Sequence, residues 1–366
     1  MVCLLYTSDA ADDSLRVDLG GRRIIKKGDV NGDGFDDFII GAYGDEDGGG
    51  AYAGQTYLIL GRSSGWSMDT DLSLSNASFI GEATFDSSGD SVSGVGDVNG
   101  DGFDDFLIGA PFGSSFLGEN YLILGRSSGW SMDTDLSMSN ASFFGESAGD
   151  SSGGSVSGVG DVNGDGFDDF LIGAYSNYEG GMTTGQTYLI LGRSGGWSMD
   201  TNLSLSNASF IGELIGDSSG DSVSGVGDVN GDGFDDFLIG AYSNDEGGMT
   251  TGQTYLILGH SSGWSMDIDL SMSNASFIGE NINDSSGDSV SGVGDVNGDG
   301  FDDFLIGASF NSQGGVGAGQ SYLIFGEVSV IIPQVASQNT SEFPVQGFLS
   351  IIFTFLFLFL FFSKKT

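Results

Sequence analysis

The chain has one cysteine in 366 residues, Cys3, so no disulfide framework braces the fold, and cysteine usage does not separate oxidising from reducing compartments. It has one histidine, His260, and no serine or cysteine nucleophile has a partner base by motif, which argues against an enzyme. Basic residues are scarce, ten against 51 acidic ones, and they sit mostly at the ends. Five lie between Arg16 and Lys27 and two are Lys364 and Lys365, so the central region is almost purely acidic. With a net charge of −41, such a surface repels phosphate backbones and attracts divalent cations, so nucleic acid is not an expected partner.

Helical patterning is missing as well. No segment places apolar residues at i, i+3 and i+4, and glycines every few residues would each cost a helix about 1 kcal/mol. What the chain does have is 65 glycines, three prolines and 12% aromatics, a composition suited to many short strands joined by tight turns. The string DVNGDGFDD occurs five times, starting at Asp29, Asp97, Asp161, Asp228 and Asp295, with steps of 68, 64, 67 and 67 residues. That period is too long for helical solenoids and leaves room for a four-stranded unit with generous loops. In the second unit the strands are expected at Ser91 to Gly96, Phe106 to Ala110, Tyr121 to Gly125 and Ser142 to Glu146. Each small sheet has apolar residues on both faces, so it must stack on neighbours to bury them.

The run GDSVSGVGDVNGDGFDDFLIGAP, from Gly89 to Pro111, resembles the FG-GAP repeat of integrin α-subunit heads; the other copies end in GAY or GAS. The resemblance covers Gly28 to Gly326 and implies an all-β fold, a β-propeller of four-stranded antiparallel blades with calcium on the blade underside. Such rings are typically seven-bladed and about five repeats are visible here. The natural protein is therefore expected to be longer, or the ring to close with strands contributed from both ends.

Within each nine-residue string, oxygen ligands at positions 1, 3, 5, 7 (a backbone carbonyl) and 9 can converge on one hard cation. The first loop offers Asp29, Asn31, Asp33, Phe35 and Asp37; the second Asp97, Asn99, Asp101, Phe103 and Asp105; the third Asp161, Asn163, Asp165, Phe167 and Asp169. The fourth offers Asp228, Asn230, Asp232, Phe234 and Asp236, and the fifth Asp295, Asn297, Asp299, Phe301 and Asp303. Three carboxylates per loop favour Ca2+ over the more reluctantly dehydrated magnesium, about five ions in all, at affinities around 10⁻⁴ to 10⁻³ M. The match to an EF-hand stops early, because position 12 is Ile40 and the flanks are strands. NGDG is also an ordinary hairpin turn, a reading that five identical copies weigh against. The position-8 acids, Asp36 and its counterparts, are left to face solvent or to cap a backbone amide.

The ends differ from the middle. Residues 1–27 resemble the translation of a transposon-type sequencing adaptor and are read as non-native, so that a signal peptide and further repeats are expected upstream. Residues 28–326 form the repeats, 327–346 a stalk linker, 347–363 a transmembrane helix and 364–366 a cytoplasmic tail. Gly347 to Phe362 carries no charge and lysines follow it, which fits a single-pass anchor with the repeats outside; a lipid-anchor signal near Ser337 is the alternative. The Asn-Ala-Ser sequons at Asn76, Asn140, Asn207 and Asn274 suit either glycosylation or a recurring turn. Trp66, Trp130, Trp197 and Trp264 are read as packing anchors between blades.

Three functions fit this pattern. One is a calcium-binding adhesion or recognition module of the cell surface, with a protein or glycan as its ligand and a membrane held through the C-terminal helix. A second is a structural coat protein, suggested by the loops SNYEGGMTTGQ and SNDEGGMTTGQ, which hardly differ. A third is the accessory propeller of a larger hydrolase.

Overall fold

Short runs of β-branched and aromatic residues bounded by glycines form strands throughout the computed structural model, which describes residues 17–18, 22–26 and 28–327 apart from 47–48, 68 and 179–182. In the second repeat the strands are Ser91–Gly96, Asp105–Ala110, Glu119–Ile123 and Ala141–Phe144, each antiparallel to the next, close to the expected segments. The same hairpin order recurs along the chain in five sheets of six, five, five, four and three strands.

Two features raise some sheets above four strands. Thr134–Asp135 pairs in parallel with Phe79 and Ile80 of the preceding repeat; Thr201–Asn202 and Ile268–Asp269 do the same one and two repeats later. Each of these repeats thus clasps the outer edge of the sheet before it. In the first sheet Arg22–Lys26 pairs antiparallel with Phe38–Ala42 as the ordinary first strand, and Val17–Asp18 pairs antiparallel with Arg22–Lys26 as an extra edge strand, so both are drawn from the segment read as non-native. Among the described residues the last sheet has three strands, Ser286–Gly294, Asp303–Ala308 and Gln320–Ile324.

The sequence reading is corrected at one point, the C-terminal transmembrane helix. That segment, 347–363, lies outside the described residues, and among the described residues no helix is long and apolar enough to cross a membrane. The helices described are the four-residue Gly113–Phe116 and three-residue 3-10 turns such as Leu136–Met138, because glycine spacing and the strand pattern leave no longer segment with a helical stripe. The stalk 327–346 falls almost wholly outside the described residues too, and the tail 364–366 entirely.

Apolar side chains alternate across each strand and serve two interfaces. Val95, Val98, Leu107, Leu122 and Phe143 of the second repeat face the third, where they meet Val156, Phe170, Ile172, Tyr188 and Ile190. The opposite face of the second repeat, with Val92, Phe106, Ile108 and Tyr121, packs on Val30, Ile39, Leu58 and Phe79 of the first. Backbones touch across these interfaces. A Cβ added at Gly41, Gly109, Gly173 or Gly240 would lie 2.0–2.2 Å from a carbonyl oxygen of the next repeat.

Trp130, Trp197 and Trp264 pack against the clusters between repeats, whereas Trp66 of the first repeat is 51% exposed and meets Phe38 of its own sheet. Trp130 meets Phe79 of the preceding repeat at 6.5 Å and Phe106 of its own at 6.2 Å, and Trp264 bridges Phe210 and Phe237 likewise. Arg62, Arg126 and Arg193 lie over the indole rings of their own repeats, and His260 takes that place by stacking on Trp264 at 3.9 Å. The sequon asparagines have a structural use: Oδ1 of Asn76, Asn140, Asn207 and Asn274 accepts from the backbone N–H of Leu60, Leu124, Leu191 and Leu258 at 2.9–3.0 Å.

Candidate metal centres

Every DVNGDGFDD string joins the first two long strands of its repeat. In the second to fifth repeats a bulge shifts the register just before it, as between Gly94 and Gly96, where Gly96 has φ 69° and turns the chain out of the ladder. Glycines at positions 4 and 6 then adopt positive φ, 74° at Gly100 and 89° at Gly102, and wind the loop into a tight coil.

That coil closes around the position-1 carboxylate. Asp97 accepts from Gly100 N (2.7 Å), Asp101 N (3.0 Å) and Gly102 N (2.8 Å), and Asp161, Asp228 and Asp295 accept from the equivalent amides. In the first loop Asp29 accepts from Asp33 N and Gly34 N. Position 5 turns onto the position-7 amide, Phe103 N donating to Asp101 Oδ1 at 3.0 Å, with equivalent bonds in the other four loops. Position 3 leans on position 5, Asn99 Nδ2 donating to Asp101 Oδ2 at 3.1 Å, and the same bond forms in the first and fourth loops.

Position 9 is the anchor. Asp37, Asp105, Asp169, Asp236 and Asp303 are all buried, at no more than 1% exposure. Asp105 accepts from Gly125 N at 2.7 Å and Val98 N at 3.2 Å, tying the loop to the third strand's end. Burial pushes Asp105 and Asp169 up to about 8, with the charges at positions 1 and 5 of the same loop adding to the shift. The same causes push Asp236 up to about 7 and Asp37 to about 6. Each of these buried carboxylates is therefore short of positive charge nearby.

The expected ligands of each loop are thus gathered on one coil, but they do not already form a cage. Among the described residues no three acidic or histidine side chains converge closely enough to hold a metal. The position-1 carboxylate is occupied by amides, and position 3 is an asparagine. Even so, the donor set fits a hard cation. It consists of carboxylate, carboxamide and carbonyl oxygens, and Asn31 Oδ1 and Asn99 Oδ1 are buried with no hydrogen-bond donor.

Sequence reasoning missed where the remaining positions go. The position-8 acids of the second to fifth loops cap amides, as one of the two readings had it, but the amides belong to the preceding loop. Asp104 Oδ2 accepts from Asp29 N at 2.8 Å, Asp168 from Asp97 N, Asp235 from Asp161 N and Asp302 from Asp228 N. The position-7 ring also reaches back, Phe103 lying over Gly32, Phe167 over Gly100, Phe234 over Gly164 and Phe301 over Gly231. A third tie joins the amides of Arg126, Arg193, His260 and Glu327 to the carbonyls of Val30, Val98, Val162 and Val229 at 2.8–3.0 Å. A signal was available in the sequence: a metal loop needs neither Phe at position 7 nor Asp at position 8, yet both recur in all five copies.

Asp168→Ala should therefore destabilise the protein by about 1–3 kcal/mol, the cost of leaving an amide unpaired. It should leave the number of calcium ions bound unchanged, as read by titration calorimetry beside thermal melting. A lost ion would make position 8 a ligand.

The sequence pattern described as the FG-GAP repeat matches residues 27–59, 88–122, 152–190, 219–257 and 286–324, just over half of the chain. Among curated proteins, integrin alpha-4 of Xenopus laevis is 30% identical over 151 residues, 41% of this chain and 14% of that protein. Integrin alpha-PS2 of Drosophila melanogaster is 33% identical over 162 residues, 42% and 10% respectively. Integrin alpha-V of Gallus gallus is 29% identical over 235 residues, covering 62% of this chain and 20% of that protein. The aligned part is thus a tenth to a fifth of the length of these relatives.

Proposed function

Because this chain belongs to the FG-GAP repeat family, we propose that it is a non-enzymatic recognition module of the cell surface whose propeller-like blades are stiffened by calcium. The observation that carries this reading is the buried position-9 carboxylate, repeated in all five loops beside two further acids. A divalent cation held by positions 1, 3, 5, 7 and 9 would supply the positive charge those groups lack. Because positions 7 and 8 bind the preceding loop, fixing one loop would also fix the sheet before it.

Loops at the opposite strand ends, between the second and third strands, take no part in the ties of positions 7 and 8; their backbones bond the segment leading into the next repeat, as Ala51 O accepts from Phe85 N at 2.9 Å, and their outer side chains are the surface for an extracellular protein or glycan ligand. Likeness to integrin α-chains supports a surface location and ligand binding. The near-identity of SNYEGGMTTGQ and SNDEGGMTTGQ favours a second reading, a structural coat whose repeats bind calcium and one another.

Titration calorimetry of the full chain in mild detergent tests the metal assignment. About five calcium ions should bind with dissociation constants near 10⁻⁴ to 10⁻³ M, and Asp169→Asn should remove one. No heat of binding and no effect of calcium on melting would refute it. Glycan and protein array binding with and without chelator separates the two readings, since a recognition module has calcium-dependent ligands and a coat has none.

A further inference from the structure

The Asn-Ala-Ser motif has a use beyond the turn it makes. Asn76, Asn140, Asn207 and Asn274 are exposed, and Oδ1 is the atom held by the protein, through the backbone N–H that follows the third strand. The amide nitrogen of the same group takes no part in that bond. Two positions earlier stands an apolar side chain open to water: Leu74 is 75% exposed, and Met138, Leu205 and Met272 are each 77% exposed. Each is the last residue of a 3-10 turn, and in three of the four turns the first residue, Leu136, Leu203 or Leu270, is buried. Packing therefore explains the first leucine and leaves the last residue unexplained. Single exposed apolar residues need no explanation, but one at the same place in four repeats does.

The serine of the motif fixes when the site is open. Ser78, Ser142 and Ser209 are fully buried; Ser78 and Ser209 donate to Asp133 and Asp267 of the following repeat at 3.0–3.1 Å, and Ser142 accepts from Asp200 N at 2.8 Å. In the folded stack those hydroxyls are enclosed, so a chemistry that reads the whole tripeptide acts on the chain before it folds. Two further sequons, at Asn202 and Asn283, occur in one repeat each and have Asp200 and Asn281 two positions earlier, so they lack the apolar neighbour.

We propose that Asn76, Asn140, Asn207 and Asn274 carry N-linked oligosaccharides, each with its first sugar laid over the Leu or Met two positions earlier. This rests on the cell-surface reading above, because the sugar donor belongs to the export route. That donor is an oligosaccharide joined to a lipid diphosphate. Nδ2 bonds to the anomeric carbon as the bond from that carbon to the diphosphate oxygen breaks; the lipid diphosphate leaves with the electron pair, and Nδ2 gives up one proton. Oδ1 keeps its place, so its hydrogen bond survives the transfer. One face of a pyranose ring presents C–H groups, which remove from water the apolar surface that the turn leaves open. Each asparagine stands just before the fourth strand of its repeat, so the glycans form a row along the outer edges of the sheets.

The full chain, placed behind a secretory leader that carries one added sequon and expressed in a glycosylating eukaryotic host, tests this by intact mass and by peptide mapping. All four sites should be occupied, and Asn207→Asp, which keeps the Oδ1 acceptor, should remove one glycan. Bare repeats beside a glycosylated leader sequon would overturn the proposal. They would leave the surface reading standing, since the leader directs entry and the arrays above test that reading separately. Trimming every glycan to its first sugar should keep the melting temperature, and removing that sugar as well should lower it. In a Met138→Ser, Leu205→Ser double variant the second step should lower it less. An equal loss in both proteins would overturn the contact between sugar and side chain.

Discussion

At pH 7.5 the melting temperature of the protein should rise steeply when calcium replaces chelator, and the gap should narrow towards pH 4. With 10 mM calcium and dissociation constants of about 10⁻⁴ to 10⁻³ M, each occupied loop contributes about 1.4–2.7 kcal/mol. Several loops acting on one stack make this the largest effect expected for any change of conditions. The pH dependence follows from the buried position-9 acids. Asp37, pushed up to about 6, Asp236 to about 7, and Asp105 and Asp169 to about 8 hold their protons more tightly in the folded state than in the unfolded chain, where the ordinary value is 3.8. Without metal, stability is therefore highest below about pH 4 and is lost progressively up to about pH 8, as the folded-state carboxylates ionise in place. A cation favours the ionised form, so calcium should offset that loss over the same window. Melts in chelator that are flat from pH 4 to 8, or that rise, would contradict the burial argument. Equal melts with calcium and chelator at pH 7.5 would contradict the metal assignment.

Strand positions were legible because the pattern is repeated: the apolar runs FLIGA (FIIGA in the first repeat) and YLI, punctuated by glycine, place the same strands five times. The candidate ligands were legible from their spacing, but their orientation was not. Spacing alone points the position-1 carboxylate at a cation, while the glycines at positions 4 and 6 let backbone amides reach Asp97 at 2.7–3.0 Å. The contacts between loops were less legible still. Asp104 caps an amide 75 residues away and Asp168 one 71 residues away, and no local pattern marks a partner at that distance. Two-residue strands such as Thr134–Asp135 carry no periodicity to read. Their existence depends on the neighbouring sheet offering Phe79 and Ile80 at its edge. His260 stands where Arg62, Arg126 and Arg193 stand in the other repeats, and its stacking on Trp264 shows what that slot does: it covers the indole that bridges two repeats.

Close approach of successive backbones sets the second large effect. A Cβ at Gly173 would sit 2.0 Å from the carbonyl oxygen of Gly220 and 3.1 Å from its carbon. Gly220 is held in turn, its amide donating to Gly240 O at 3.0 Å, so the obstacle is hydrogen-bonded backbone and cannot rotate away like a side chain. Gly173→Val should therefore part the third and fourth repeats and cost about 3 kcal/mol or more, at the upper end of overpacking. Conformational freedom is not the cause, because Gly173 is absent from the positive-φ residues and lies in the strand Asp169–Ala174, where valine is otherwise favoured. Gly307→Val is the matched control. It makes the same change in the same strand position, but its nearest neighbours are Ser289 O at 3.3 Å and Ser289 Cβ at 3.4 Å, both in its own sheet. That variant should change stability by no more than about 1 kcal/mol from wild type, the range of conservative packing changes. Equal losses at the two sites would mean that glycine is needed for the strand itself, whereas a loss confined to Gly173 locates the requirement in the neighbouring repeat.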